Sequence, residues 1–596
     1  MCGDHPERVV SNRSVAAMLG ELAELTTLAE GSPQSFKVRA YENAQRAVES
    51  ESATLAEMTE AQLAKLKGIG KSTAAKIREF IDSGSVTKLE ALRAEFPPDV
   101  VALSKIPGLG PKTLQQIRSH LGINDLAGLQ AAIANETLRT VPGLGATSEA
   151  KIAKAIERLG MSGKDRRTPI ADALPLAERL VAELSALESV TDAAFCGSLR
   201  RFSETIGDVD ITVASTDPAT VMDRVRTHPD VHDIVVSGDT KTSFLTVAGL
   251  QVDVRVVEPE QFGATTLYFT GSKAHNIELR QRAMDRGLVL NEYGLFEAER
   301  DADGKPTKTA SDVAVARLTE AEIYEALGMS LVPPPMREAT GEVEAAANGS
   351  LPELVTRPDI RGDLHYHTDR SGDGRSSLAD MVAKAAALGY EYLAITDHGE
   401  DLAINGSNQE QMLEHRENIR SLQSEYPDMT ILWGCELNIG ASGGLDYSPE
   451  FRALFDYTVA SVHSHFDQDP KTQTQRLVTA IADPTVNSIG HLTGRYIGRR
   501  PGIELEIDIV LEALAHFDVA LEVNGALQRL DAASDVVRKA VDRGVKLVIN
   551  TDSHHTSELG RMEYGVLTAQ RGWAPKDLVV NTWPRDRFLE WAGHRR

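Results

Sequence analysis

Gly197-Ser198-Leu199-Arg200-Arg201-Phe202-Ser203-Glu204-Thr205-Ile206-Gly207-Asp208-Val209-Asp210 is the stretch on which the reading of this chain turns. It lies between two apolar runs, Ala193 to Cys196 and Val209-Asp210-Ile211-Thr212-Val213-Ala214. The second run alternates as a half-buried strand does. Val209, Ile211 and Val213 are therefore expected in the core, with Asp208, Asp210 and Thr212 on the open face. Neighbouring carboxylates repel each other, and their plainest use is to hold divalent cations. A third acid, Asp253, sits in a similar strand, Leu250 to Val256. Three acids on adjacent strands can hold a pair of Mg²⁺ or Mn²⁺ ions. Gly197, Ser198 and Arg201 then offer amides, a hydroxyl and a guanidinium to a phosphate tail. Such an arrangement suits nucleotidyl transfer, whereas Asp-x-Asp alone is more often two solvated strand residues.

Composition sets the frame around this stretch. At 596 residues the chain exceeds a single core, so several domains are expected. Its 42% hydrophobic and 25% charged residues are ordinary for a soluble globular protein. No apolar run approaches a membrane span, and Met1-Cys2-Gly3-Asp4-His5-Pro6 does not begin a signal peptide. No membrane partner and a cytoplasmic setting are expected. Cys2, Cys196 and Cys435 lack metal-ligand spacing, and the last two fall in apolar strands. Buried free thiols in a reducing compartment are expected. The net charge of −24 argues against nucleic acid, but its distribution argues for it. Residues 61–120 hold ten Lys/Arg against five Asp/Glu, a local +5 that leaves −29 for the rest. A basic front on an acidic body suits local contact with DNA.

Within that front one turn recurs three times. It reads Leu66-Lys67-Gly68-Ile69-Gly70-Lys71, then Ile106-Pro107-Gly108-Leu109-Gly110-Pro111-Lys112, then Val141-Pro142-Gly143-Leu144-Gly145. Each precedes a helical segment: Ser72 to Phe80, Lys112 to Leu121, Ser148 to Leu159. Gly68, Gly70, Gly108, Gly110, Gly143 and Gly145 would let backbone N–H groups at a helix start approach a phosphate without reading sequence. The three turns resemble helix-hairpin-helix units.

With the Gly-Ser turn ahead of Asp-x-Asp, the opening stretch closely resembles the nucleotidyltransferase signature of family X DNA polymerases. Leu267-Tyr268-Phe269-Thr270-Gly271-Ser272-Lys273-Ala274-His275-Asn276 and Asn291-Glu292-Tyr293 extend the resemblance. It implies that Tyr268, Phe269 and Gly271 line the sugar pocket and that Asn276 reads the minor groove of the base. Gly207 joins Gly197, Ser198 and Arg201 around the nucleotide, and Arg280 touches the template side. The implied partners are dNTPs and gapped or nicked duplex DNA, bound by a monomer. Ser35 to Ala44 resembles the lyase-type amino-terminal domain of the same enzymes, and Lys76 matches its Schiff-base lysine. Such an amine attacks the aldehyde of a 5′-deoxyribose phosphate if neighbouring cations lower its pKa; the plainer reading is a solvated helix lysine.

The implied domains are a lyase-like helical domain over 1–90, helix-hairpin-helix fingers over 91–165, a palm over 166–255 and a thumb over 256–330. Residues 331–357, rich in Pro, Ala, Gly and Glu, read as an extended linker. Beyond it come seven apolar strand-like runs. Six end in metal-binding residue types: Asp363-Leu364-His365-Tyr366-His367, Thr396-Asp397-His398, Cys435-Glu436, Val462-His463, Gly490-His491 and Thr551-Asp552-Ser553-His554. The seventh, Ala520-Leu521-Glu522-Val523-Asn524, is polar at its end without His. Ligands at the carboxyl ends of successive strands are where a (β/α) barrel builds its site.

The set resembles the PHP family, a distorted seven-stranded barrel, here over 358–596, with a trinuclear metal centre. The resemblance implies nine ligands: His365, His367, Asp373, His398, Glu436, His463, His491, Asp552 and His554. Asp373 stands where some phosphatase members have His. Imidazole and carboxylate without thiolate suit Zn²⁺ or Mn²⁺, up to three ions. Arg495 is expected to neutralise the substrate phosphate. The fold class expected overall is multidomain: a helix-hairpin-helix amino-terminal region, an α/β nucleotidyltransferase palm and thumb, and a carboxy-terminal (β/α)7 PHP barrel. The implied activity is short-gap DNA repair synthesis with 3′–5′ exonuclease or related 3′-end processing. The alternative is a DNA-binding protein whose barrel acts as a phosphatase or phosphodiesterase without polymerase activity.

Overall fold

The computed structural model describes residues 12–50, 55–104, 106, 109–159, 167–300, 306–402 and 405–593. The chain divides into two compact units, 1–166 and 167–596. Among the described residues no helix is long and apolar enough to cross a membrane.

The first unit is helical, with one apolar core running from Val15 to Ile152. The three turns lead into helices Lys71–Ser83, Pro111–Leu121 and Ala146–Leu159. Gly70 and Gly110 are the N-caps of the first two, and neither offers a side-chain cap, so the leading N–H groups stay available to an outside acceptor. Gly68 and Gly143 adopt φ of +98° and +86°, a region other residues rarely enter. Gly108 and Cys2 lie outside the described residues.

In the second unit the palm is a five-stranded sheet. Its strands are β1 (Val190–Phe195), β2 (Asp208–Ser215), β3 (Asp233–Ser237), β4 (Lys241–Leu245) and β5 (Gln251–Val257), in the order β1-β2-β5-β4-β3. Only β2 and β5 run parallel, and their register sets Asp210 directly beside Asp253. Val209, Ile211 and Val213 are buried as expected. Thr212 departs from the expectation and is buried too. Its hydroxyl lies 3.6 Å from the Cys196 thiol, which in turn reaches the Thr266 carbonyl of helix Phe262–Thr270, so the open face is open only at its amino end. The thumb adds the antiparallel strands β6 (Leu288–Asn291), β7 (Gly294–Arg300) and β8 (Pro306–Ala316).

Residues 331–357 are not an extended linker. Pro334–Met336 form a 3-10 turn, and Glu342–Asn348 a helix bracketed by Gly341 and Gly349 at φ of +103° and +75°. Met336, Val343 and Ala346 join the thumb core with Leu279 and Tyr324. Arg337 is 0% exposed and pairs with Glu320 at 2.5 Å. The buried face of the short helix and this buried ion pair outweigh the Pro-rich composition that suggested extension.

The barrel comprises β9 (Gly362–Asp363), β10 (Tyr392–Ile395), β11 (Thr430–Asn438), β12 (Tyr457–Ser461), β13 (Ser488–Ile489), β14 (Ala520–Asn524) and β15 (Leu547–Asn550). All seven are parallel and neighbour one another in chain order. A parallel bridge between Tyr366 and Ser553 draws the two edges together. The strand ends carrying His and acid residues thus form one ring, while the carboxy-terminal helix Arg585–Gly593 seals the opposite end, Phe588 stacking on Tyr392 at 4.3 Å.

Palm and barrel share a core. Leu530 of the barrel, 1% exposed, lies in one apolar cluster with Ile170, Leu199, Phe202 and Val209 of the palm. Phe202 stacks on Tyr564 at 5.9 Å. Arg495, expected at the phosphate, is committed to this seam instead: it grips both Glu204 oxygens at 2.7 and 3.0 Å and donates to the Arg529 and Leu530 carbonyls. Truncating Leu530 to Ala should cost about 2–5 kcal/mol by loss of buried methyl groups and the cavity left behind. All four tryptophans lie in the barrel half of the chain, so their fluorescence during urea unfolding should show the lowered midpoint although the lost contacts are to the palm.

Candidate functional site

The palm site is built by register and by one missing methyl group. Gly197 opens the short helix Gly197–Arg200 at φ +62°, and a Cβ there would sit 2.5 Å from Asp210 Oδ2. Only glycine lets the turn lie against the carboxylate. Ser198 is half-buried in the same turn, and Gly207 is the exposed residue that leads into β2. Burial, then Asp208, then Asp253 push the Asp210 carboxyl up to about 7. Asp208 is raised as well, by partial desolvation and by Asp253. Asp253 accepts from Gln251 at 3.0 Å and from Lys241 at 3.3 Å. Two raised carboxyls with a third acid beside them call for cations between them, and the donor set, all oxygen, fits Mg²⁺ or Mn²⁺.

Around this site Tyr268 and Phe269 meet edge to face at 5.1 Å. Arg255 lies over Phe269 at 4.6 Å and Arg280 over Tyr268 at 5.1 Å. Asn276 donates to the Tyr268 carbonyl at 2.7 Å, and Gly271 ends the helix carrying both rings at φ +64°. Arg201, expected at the triphosphate, is tied to the Thr270 carbonyl at 2.6 Å and to Glu338 at 3.0 Å. It braces the turn from the thumb side. The composition of the supposed linker hid Glu338, its partner.

In the barrel the structure brings all nine expected residues together. Glu436 is the hub. Its Oε1 lies 3.0 Å from His491 Nε2, 3.3 Å from His463 Nε2 and 3.4 Å from His365 Nε2. Its Oε2 lies 2.9 Å from His398 Nδ1 and 3.5 Å from His367 Nε2. Asp552 Oδ1 is 3.3 Å from His367 Nε2, and Asp373 Oδ2 is 3.5 Å from both His398 and His554. Three groups can each hold a cation: His367 with His398 and His554, His365 with His367 and Asp552, and His398 with Glu436 and His463. The buried Nε2 atoms of His365 and His367 have no hydrogen-bond partner. Burial, with His554 and His398, pushes His367 down to about 4, leaving it neutral as a metal ligand must be. Burial acts to raise the Glu436 carboxyl, but His463, His365 and His398 overcome it and hold it well below its ordinary range. The residues present fit a metal cluster.

The supporting shell was not anticipated. His365 Nδ1 lies 2.7 Å from Glu522; because a carboxylate can only accept, Nδ1 carries the proton and a neutral His365 turns its Nε2 lone pair to the centre. His463 Nδ1 lies 2.7 Å from Asn438 Oδ1, and Asn524 donates to Asp552 at 3.1 Å. The signal was present in the sequence: Glu522 and Asn524 end the one strand without a His.

In the first unit, Lys76 donates to Ser72 Oγ and O at 2.9 and 3.1 Å and lies 5.8 Å over the Tyr41 ring. A shallow recess beside it is lined by Glu79, Thr87 and Lys88.

Fold and sites together define a metal-dependent nucleic-acid enzyme with two centres, a nucleotidyltransferase palm and a PHP barrel. Residues 265–338 match the DNA polymerase beta thumb family, 363–551 the PHP domain, 10–86 a helix-hairpin-helix domain and 100–158 a SAM-like helix-hairpin-helix tandem. The chain is 38% identical over 550 residues to the DNA polymerase/3′-5′ exonuclease PolX of Bacillus subtilis (strain 168), covering 92% of this chain and 93% of that one. It belongs to the PolX family. The barrel alone resembles shorter proteins. One named "Probable phosphatase" from Acetivibrio thermocellus is 31% identical over 229 residues, 37% of this chain and 90% of that one; "Probable phosphatase YcdX" of Escherichia coli (strain K12) is 30% identical over 242, 39% and 94%.

Replacing Glu522 by Gln should weaken metal binding about 10- to 100-fold, because the amide no longer fixes the His365 tautomer. Titration of metal-stripped protein with Mn²⁺ or Zn²⁺ measures this directly.

Proposed function

We propose that this chain is a DNA polymerase that fills short gaps during repair and removes nucleotides from 3′ ends with its barrel. The observation that carries the reading is Asp210 seated beside Asp253 across β2 and β5, under a turn that only glycine can make. Asp208, Asp210 and Asp253 would hold Mg²⁺ or Mn²⁺, and the nine barrel residues up to three Zn²⁺ or Mn²⁺ ions. Such ions supply Lewis acidity, lowering the pKa of an attacking hydroxyl or water and neutralising phosphoryl oxygens. The chain's own groups do the rest. Gly197 and Ser198 present the turn to the dNTP triphosphate, Tyr268 and Phe269 form an aromatic wall for its sugar, and Asn276 and Arg280 face base and template. Gly68, Gly70, Gly110, Gly143 and Gly145 present helix starts to the phosphates of gapped or nicked duplex. The likeness of the barrel to proteins named as phosphatases favours one second reading, a barrel that hydrolyses phosphate monoesters; rates on a DNA 3′ end and on p-nitrophenyl phosphate separate the two.

Substituting Asp208 and Asp210 together by Ala should abolish dNTP addition on a gapped duplex while 3′-end degradation persists. Substituting His365 and His367 by Ala should do the reverse. Each loss should far exceed the tenfold step that about 1.4 kcal/mol represents. A histidine variant that retains its nuclease would remove the barrel from that role. For Lys76, borohydride should trap the protein on 5′-deoxyribose phosphate DNA, and Lys76→Ala should lose the adduct.

A further inference from the structure

The barrel cleft, about 370 Å³, has the metal-binding residues at one end and a wall of aromatic and guanidinium groups beside them. Arg529 and Arg500 both lie over the Tyr496 ring, at 4.5 and 4.8 Å from its centroid, so the two guanidinium carbons are no more than 9.3 Å apart. Arg500 also lies 4.1 Å over Phe466. The loop that carries them is tightly built. Tyr496 and Arg500 exchange backbone hydrogen bonds at 2.9 Å, and the Arg500 side chain donates to the Gly494 carbonyl. At Gly494, φ is +62° and a Cβ would strike the Phe466 ring at 2.6 Å.

The two cations differ in their counter-ions. Among the described residues no carboxylate lies within ion-pair range of Arg500, and burial together with Arg529 holds its guanidinium below its usual range. The Arg529 side chain is 14% exposed; among the described residues the carboxylate within ion-pair range is Asp552 at 3.6 Å, which also faces His365 and His367, and Glu436 and Asp531 add their charge from further off. A guanidinium beside a cluster of divalent ions is repelled by them unless an anion lies between. Ring contact orients both guanidiniums in a way an ammonium could not match; Nε and Nη2 of Arg500 serve the Gly494 carbonyl, which leaves its Nη1 and the Arg529 guanidinium to meet phosphate.

We propose that this wall is a subsite for a single-stranded 3′ end. Arg529 binds the scissile phosphate next to the metal centre and Arg500 the preceding phosphate on the 5′ side, a spacing that consecutive phosphates of one strand can bridge. Tyr496 and Phe466 orient the guanidiniums and offer ring surface to an unpaired base. The inference rests on the reading of the barrel as a 3′–5′ exonuclease and adds a strand-recognition requirement that a phosphomonoester would not need.

The test uses the full chain as wild type, Arg500→Ala, Arg500→Lys and Arg529→Ala, with bound metal per chain measured first. Binding of 5′-fluorescein-labelled tetrathymidylate, followed by anisotropy in Ca²⁺, is then recorded against salt. Arg500→Ala should weaken binding about tenfold and lower the slope of log affinity against log salt by about 0.7, one single-strand phosphate; Arg500→Lys should regain the slope but not the full affinity. In turnover, Arg500→Ala should lose about tenfold more kcat/KM on the oligonucleotide than on the p-nitrophenyl ester of thymidine 5′-phosphate, which has one phosphate. Arg529→Ala should lose activity on both with its metal retained. An unchanged salt slope and substrate ratio in Arg500→Ala, or loss of metal in Arg529→Ala, overturns the subsite. A wild type that cleaves neither substrate, with the slope still lowered in Arg500→Ala, would overturn the exonuclease reading and leave the subsite standing.

Discussion

One buried carboxylate governs the barrel. Glu436 stands within 3.5 Å of five imidazoles drawn from four other strand ends, and they hold its charge where burial alone would remove it. A cluster this dense, taken out of water, is unfavourable unless every lone pair and proton finds a partner. The seven parallel strands, the acceptor at Glu522 and the amides at Asn438 and Asn524 meet that demand, and cations between the ligands would complete it. The palm solves the opposite problem, three negative groups with few positive ones, and its acids are exposed or half-buried rather than deep in a barrel.

The two problems are solved in one body. Leu530 enters the palm core, while the residue before it, Arg529, reaches the barrel cleft. Arg495 and Glu204 join the loop that follows His491 to the loop that follows the Gly197 turn. Positions that look independent along the chain therefore share packing, and a substitution at the seam perturbs neighbourhoods on both sides of it.

Much of this was legible in the sequence because the chemistry sits at ends of regular elements. Alternation from Val209 to Val213 placed Asp208 and Asp210, and His or acid at six strand ends outlined the barrel. What escaped has a common physical cause: it depends on partners far away in sequence. Arg495 looked like a free cation until Glu204, 291 residues away, came into contact. Thr212 alternated correctly but was covered by a helix from the thumb. Pro333 to Pro335 suggested extension, yet Arg337 and Glu320 bury their charges together there. The tandem Gly-x-Gly turns needed no distant partner, and the helices begin within two residues of where the sequence placed them.

The packed segment between thumb and barrel carries one more implication. A true tether would let the barrel swing to whichever DNA end needed trimming. Here, extending residues 331–357 would expose Arg337, Glu342 and the apolar face of a helix, so the segment is a strut. Traffic between the two centres must then be borne by the nucleic acid. On the proposed function, a primer end would reach the barrel by fraying and relocating, and the readiness of its last base pairs to melt would set the balance between building and trimming.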